Sequence, residues 1–183
     1  TPRLGLVFNL TDNQNLRLSA QQGFRNPTNQ DKFIGYDNTF NVILGGVKSN
    51  IERFNKTLTL RNGENYTFTG QYVLDNAVEK SDASASNLGY VKAETVTMLE
   101  MGYRFNSPGF TVDASAYFSS IKEKIAGRYV DVPVLTSTLS TPAAAVAAGS
   151  YYDFQVDSNF NETFSAYGFS VEATGFLTNG LFA

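Results

Sequence analysis

Glu94, Glu100, Arg104 and Asp113 are the charged residues whose spacing invites a chemical reading. Glu94 and Glu100 fall on one face of an extended stretch, but six residues of strand separate them by roughly 20 Å. Two carboxylates that share acid and base duties across a glycosidic bond need about 5–9.5 Å. They are no catalytic dyad. Glu100, Arg104 and Asp113 come closer. With Asn106 opposite Gly109 in a tight turn, Asp113 faces Gly102 and lies diagonal to both Glu100 and Arg104, at about 7–8 Å. Side chains of that length bridge the gap, and the expected result is an ion-pair network. Cysteine and histidine are absent, which removes thiolate nucleophiles, imidazole bases and the usual zinc ligands. No catalytic residue, cofactor or metal site is expected.

The element that positions these charges is a hairpin written out from Glu94 to Phe118. Thr97, Leu99, Met101, Tyr103 and Phe105 alternate with Met98, Glu100, Gly102 and Arg104. After Asn106-Ser107-Pro108-Gly109, Phe110, Val112, Ala114, Ala116 and Phe118 alternate with Thr111, Asp113, Ser115 and Tyr117. Period-two alternation gives each arm one apolar and one polar face. The register that pairs Asn106 with Gly109 sets Met101 across from Ala114 and Arg104 across from Thr111. Each arm runs about a dozen residues, where globular strands run about 5–6 and tilted membrane-spanning strands about 9–11.

Composition points the same way. Of 183 residues, 42% are apolar and 17% charged, against about a quarter charged in soluble domains. No run approaches the roughly 18 apolar residues of a transmembrane helix, so any span must be β. A net charge of −3 argues against nucleic acid as a partner. Thr1-Pro2-Arg3-Leu4 lacks the features of a signal peptide, and Gly175 to Ala183 reads as a turn entering another strand. The expectation is a piece of a larger fold.

Along the chain, Arg3–Leu10 and Asn15–Gln21 form a second hairpin around Thr11-Asp12-Asn13-Gln14. Thr163–Leu177 is a further alternating strand, turned by Thr178-Asn179-Gly180. Between these lie two long inserts, about 23–93 and 123–162. In the first, Thr57–Arg61 and Tyr66–Tyr72 flank Asn62-Gly63, a strong hairpin signal, while Asp75–Asn87 reads as irregular. In the second, Thr141-Pro142 through Gly149 reads as a short helix. Short turns and long inserts alternate, which puts the turns at one sheet edge and the inserts at the other. Outer-membrane barrels sort their connections this way, and a soluble sandwich has no physical reason to. The fold class is therefore all-β: a segment of a large antiparallel transmembrane β-barrel, about five strands plus the start of a sixth, with long extracellular loops. Five strands cannot close, since the smallest barrels have eight.

The strand motifs carry a resemblance. Pro2-Arg3-Leu4-Gly5-Leu6-Val7, Asn15-Leu16-Arg17-Leu18-Ser19 and Gly23-Phe24-Arg25-Asn26-Pro27-Thr28 resemble the barrel of TonB-dependent outer-membrane receptors, where a strand ends in a "GFR-x-P" element. Lys92-Ala93-Glu94-Thr95-Val96 and Leu99-Glu100-Met101-Gly102-Tyr103-Arg104 are similar to the family's "PE … E-x-G-Y" strand, with Ala93 in place of Pro. Tyr167-Gly168-Phe169-Ser170-Val171-Glu172 is similar to its next "G-x-E" strand. The wording of Asn26-Pro27-Thr28-Asn29-Gln30-Asp31 and Ile34-Gly35 looks most like members from Bacteroidetes-type bacteria. The resemblance implies a barrel of about 22 strands, a plug domain and remaining strands outside this sequence, and location in the outer membrane of a Gram-negative bacterium. It implies capture of a nutrient at the cell surface and import by plug movement energised through the TonB complex. Its implied partners are outer-membrane lipid, the rest of the barrel with its plug, and a possible surface lipoprotein.

Within that frame Arg17, Glu100, Arg104, Asp113 and Glu172 form a polar network on the lumen wall. Arg25 and Asp31 sit at the mouth, and Tyr36, Tyr66, Tyr72, Tyr151 and Tyr152 lie in the inserts. Aromatic loops around a polar mouth suit ligands with apolar faces and hydrogen-bonding edges, such as sugars, chelates or peptides; packing among the loops is the alternative for any one tyrosine. A barrel that anchors a surface adhesion or assembly protein, without active transport, is the rival function.

Overall fold

The computed structural model describes residues 1–177, 181 and 182, with residues 176, 177, 181 and 182 described as backbone alone. The turn expected at Thr178-Asn179-Gly180 lies outside the described residues. The chain begins with β1 (Arg3–Thr11) and β2 (Gln14–Arg25). The first insert carries α1 (Asn29–Phe33), β3 (Gly35–Asp37), β4 (Val42–Leu44), α2 (Lys48–Arg53), β5 (Asn55–Thr59), β6 (Asn65–Thr69), α3 (Gly70–Asn76) and β7 (Val78–Glu79). Then come the long arms β8 (Glu94–Ser107) and β9 (Phe110–Lys122). The second insert carries β10 (Ile125–Pro133), α4 (Pro142–Ala147) and β11 (Tyr151–Asn159), and the chain continues into β12 (Phe164–Leu177) and β13 (Leu181–Phe182). Two compact units result: residues 1–25, 95–124 and 162–183 in one, residues 26–94 and 125–161 in the other.

The first unit is one six-stranded sheet in the order β1-β2-β8-β9-β12-β13. The β1–β2 and β8–β9 hairpins close through two residues each, Asp12-Asn13 and Pro108-Gly109. The Asn106 N–H donates to the Asn13 carbonyl at 2.8 Å, so the two short turns lie side by side at one sheet edge, as the loop alternation requires. The β8–β9 register differs from the expectation by two residues: Met101 faces Ala116 and Arg104 faces Asp113. The cause is turn chemistry. Ser107 pairs with Phe110, leaving Pro108 and Gly109 in the central positions, and Gly109 adopts φ +84. Pro followed by a residue with positive φ is what a type II turn demands. A slip of two leaves every side chain on its assigned face. Leu99 and Met101 therefore share one face with Phe118, Phe169 and Val171, while Gly102, Ser115 and Ser170 share the other. On the apolar face Phe169 is 84% exposed, an arrangement suited to lipid and not to water. A hollow lined by Leu4, Leu6, Leu18, Leu99, Met101 and Phe118 lies on that same face.

The second unit shows that the inserts are more than loops. A five-stranded sheet, β3-β4-β11-β10-β7, joins both inserts, with β4 parallel to β11 and the other pairs antiparallel. The β5–β6 hairpin forms around Asn62-Gly63, where Gly63 takes φ +88. Val130, Val132 and Val134 alternate inward along and just beyond β10, as do Tyr152, Phe154 and Val156 along β11. They meet Val42, Leu44, Ile51, Leu58, Phe68 and Val73 in one core. The helix expected near 141–149 is α4, with Thr141 capping it and Pro142 in its first turn. The stretch 75–87 is irregular from Lys80 on, as expected, apart from a bridge from Val78 to Ala85, but it begins in order: α3 runs to Asn76 under a Thr69 cap, and β7 follows. Burial of Val73, Leu74, Ala77 and Val78 organises it, a periodicity hidden by the polar residues between them.

Two outcomes are expected in the intact protein. Leu99→Arg should reduce folded barrel in outer-membrane fractions, because arginine on a lipid-facing strand costs about 2–4 kcal/mol near mid-bilayer. Ser115→Arg on the polar face should be tolerated far better, with Ser115→Asn as the control for crowding. Phe154→Ala, at a wholly buried position, should destabilise the insert unit by about 3–5 kcal/mol. Limited proteolysis of residues 26–94 and 125–161 under increasing urea reads that loss.

Candidate functional site

On the polar face of the long sheet, Arg17 of β2 reaches across β8 to Asp113 of β9. Its Nη2 donates to both carboxylate oxygens, at 2.8 and 2.9 Å. The crossing is possible because Gly102 lies beneath it; a Cβ there would stand 3.2 Å from Arg17 Nε and Nη2. Asp113 also faces Arg104 on β8 and Glu172 on β12 in register. Nearby, the Ser115 and Ser170 hydroxyls are 2.9 Å apart. The pair is part-exposed, and such ion pairs contribute about 0–1 kcal/mol. Its effect is to keep the wall polar and its charges balanced, and it activates no nucleophile. The five residues expected in this network share the face, but the partner of Asp113 is Arg17. Adjacency of β2 and β8 across a long insert leaves no trace in either hairpin's own pattern. Glu94 plays a separate part: it is buried in the insert unit, where its Oε2 accepts the Ile125 N–H at 3.1 Å.

The structure distributes the insert residues between surface and core. Arg25 ends β2, exposed. Asp31 closes a capping box on α1: its carboxylate accepts the Thr28 N–H at 2.8 Å while the Thr28 hydroxyl accepts the Asp31 N–H. Tyr36 stands on the edge strand β3, 57% exposed. Tyr66, Tyr72 and Tyr152 instead stack edge-on or tilted around Phe68 at 4.9, 6.1 and 6.4 Å between ring centroids. The Tyr72 hydroxyl donates to the Pro133 carbonyl at 3.0 Å, and burial pushes its pKa up to about 12. The Tyr152 hydroxyl donates to the Thr39 carbonyl at 3.3 Å, and burial raises it too. Tyr151 faces away from Tyr152 along β11 and is half-buried.

Sequence reasoning missed a charge network on the other face of β10 and β11. Asp131 and Asp153 oppose each other across the two strands. Lys80 lies 3.0 Å from Asp131 and also bonds Asp153, to which Arg61 adds a second cation. Burial holds Asp131 above the usual carboxylate range. At Asp153 burial pushes the same way, but bonds from Lys80 and Arg61 outweigh it and the carboxyl ends below that range. The alternation of Tyr129, Asp131 and Pro133 with valines was a usable signal. Among the described residues no group of three or more metal-ligating side chains gathers.

The whole chain, residues 1–183, matches the family described as TonB dependent receptor-like, beta-barrel. The chain belongs to that family. It is a segment of the large antiparallel transmembrane barrel, which accounts for the open sheet and its unprotected apolar face. Similar solved structures include the FrpB iron transporter from Neisseria meningitidis (F3-3 variant), at 14% identity and TM-score 0.48, covering 96% of this chain and 17% of that one. The siderophore receptor PirA from Acinetobacter baumannii is similar at 13% identity and TM-score 0.48, covering 97% of this chain and 21% of that one. The segment thus spans about a fifth of the length of those receptors. No curated protein matches it.

Within this receptor segment the most perturbed carboxyl outside the strands of the long sheet is Asp157 at the end of β11, pushed up to about 6 by burial and by Asp31 nearby. A raised carboxyl favours the folded state while protonated. Its contribution is complete below the unfolded value of about 3.8 and is lost as pH rises through about 6. Asp157→Asn should therefore stabilise the insert unit at pH 7.5, by about 1–3 kcal/mol, with the gain vanishing near pH 4. Urea unfolding at the two pH values checks the sign.

Proposed function

We propose that the parent protein is an outer-membrane receptor that captures a nutrient at the cell surface and imports it through plug movement energised by the TonB complex. The observation that carries this reading is the match of the whole chain to the receptor barrel family. The division of labour within the chain supports it. The long sheet offers an apolar face to lipid and a charge-balanced polar face to the lumen. Both inserts leave the edge opposite the short turns and fold together around one core. A loop pair with its own core presents side chains from fixed positions, which lowers the ordering cost of binding.

In this reading the inserts are extracellular. Tyr36 and Tyr151 meet the ligand, while Tyr66, Tyr72 and Tyr152 stiffen the platform beneath and Asp31 secures α1. The plug, the remaining strands, TonB and any surface lipoprotein are partners supplied from beyond this segment, and the reaction is transport without bond chemistry.

Orientation is the test. Cysteines introduced at the exposed Ser84 and Asp12 should behave oppositely towards an impermeant thiol reagent on whole cells. Ser84 should be labelled at once, and Asp12, in a short turn, only after lysis. Labelling at Asp12 with protection at Ser84 would place the inserts in the periplasm and end the surface-capture reading.

A further inference from the structure

Phe33, Gly35, Leu44, Asn50, Arg53 and Lys56 are among the lining of a cleft of about 420 Å³ within the insert unit, a size at the lower end of small-ligand sites. Arg53, in the last turn of α2, is held in place there. Its Nε donates to Asn50 Oδ1 at 2.9 Å and its Nη2 donates to the Phe33 carbonyl at 3.1 Å. Asn50 is itself buried, and its Nδ2 donates to the Ile34 and Gly45 carbonyls at 2.9 and 2.8 Å. The amide is thereby fixed with its oxygen towards the guanidinium. A guanidinium has five N–H donors, so donors remain after these two bonds.

The neighbouring charges are already spent. Lys56 pairs with Asp37 at 2.7 Å, a bond that holds the Asp37 carboxyl below its usual range. Glu52 pairs with Lys48 at 3.7 Å. No ion pair engages Arg53 among the described residues, and its positive charge is the unbalanced one at the cleft. Beside it Phe33 is 47% exposed, and Leu44 and Phe54 line the same cleft.

We propose that this cleft binds a carboxylate on a ligand that also carries a ring or other apolar face, with Arg53 as the anchor and Phe33 as the surface the apolar part lies against. One preorganised guanidinium edge with one net positive charge matches a planar monoanion; a phosphate dianion calls for more charge than the cleft holds. The inference rests on the receptor reading only for why such a ligand arrives. It names residues outside those read from the sequence, because the cleft is made by α1, β3, β4, α2 and β5 folding together.

The test is ligand-observed fluorine NMR on the intact receptor in detergent micelles, with 4-fluorobenzoate as probe and 4-fluorobenzamide as its uncharged counterpart. Wild type should broaden the benzoate line and leave the amide sharp. Lys48→Gln, which removes a charge from the same helix outside the cleft, should behave as wild type. Arg53→Gln should weaken benzoate binding about tenfold or more, the scale of a lost charge-assisted bond. Gly35→Leu should also abolish it with Arg53 intact; a Cβ at Gly35 meets no atom within 4 Å, so the added bulk enters open space. Equal broadening of the two probes, or undiminished binding in either variant, overturns the proposal. Such a failure leaves the receptor reading standing, since that reading is decided by orientation on cells and not by this cleft.

Discussion

Hydrocarbon offers no partner to a backbone N–H or carbonyl, and an unpaired group there costs several kcal/mol. That constraint accounts for the long sheet. β8, β9 and β12 stay in register for more than ten residues, well beyond ordinary globular strands. Two-residue turns close the β1–β2 and β8–β9 hairpins. The same constraint makes a closed barrel the resting place for this sheet, in keeping with the receptor barrel family to which the chain belongs. Given paired backbones throughout, alternation of side chains does the rest: leucine, methionine and phenylalanine on one face, glycine, serine and balanced charge on the other.

The insert unit obeys different physics. Residues 26–94 and 125–161 bury Phe68, Phe154, Leu44 and a set of valines around a core of their own, as a water-soluble domain does. Its polar groups are met locally: Thr28, Thr69 and Thr141 cap helices, and Asn50 ties α2 to the chain around it. Two connections that look like separate loops thus become one scaffold, and the side chains left on its surface are held in place. The cleft at Arg53 and the exposed Tyr36 are products of that rigidity.

What the sequence made legible follows from the range of the interactions. Period-two alternation is local, so strand identity and facing for Leu99, Met101, Ser115 and Phe169 could be read directly. Turn residues are local too, yet Asn106-Ser107-Pro108-Gly109 admits two registers. The need of Gly109 for positive φ selects the one that brings Arg104 opposite Asp113. Long-range pairings were not legible. Val42 lies beside Phe154 in a parallel pair, and Arg17 reaches Asp113 over Gly102; neither leaves a mark in its neighbours along the chain. Tyr66, Tyr72 and Tyr152 admitted two readings, ligand rim or loop packing, because tyrosine serves both, and the pattern along the chain does not reveal that all three pack around Phe68.

The central claim is that the two faces of this sheet meet different media, and a scan along β8 tests it most directly. Spin labels placed singly from Thr97 to Phe105 in the intact receptor, reconstituted in lipid vesicles, report collision rates with oxygen, which concentrates in hydrocarbon. The account predicts a period of two, with high rates at 97, 99, 101, 103 and 105 and low rates at 98, 100, 102 and 104. A flat profile, or the opposite phase, would contradict it.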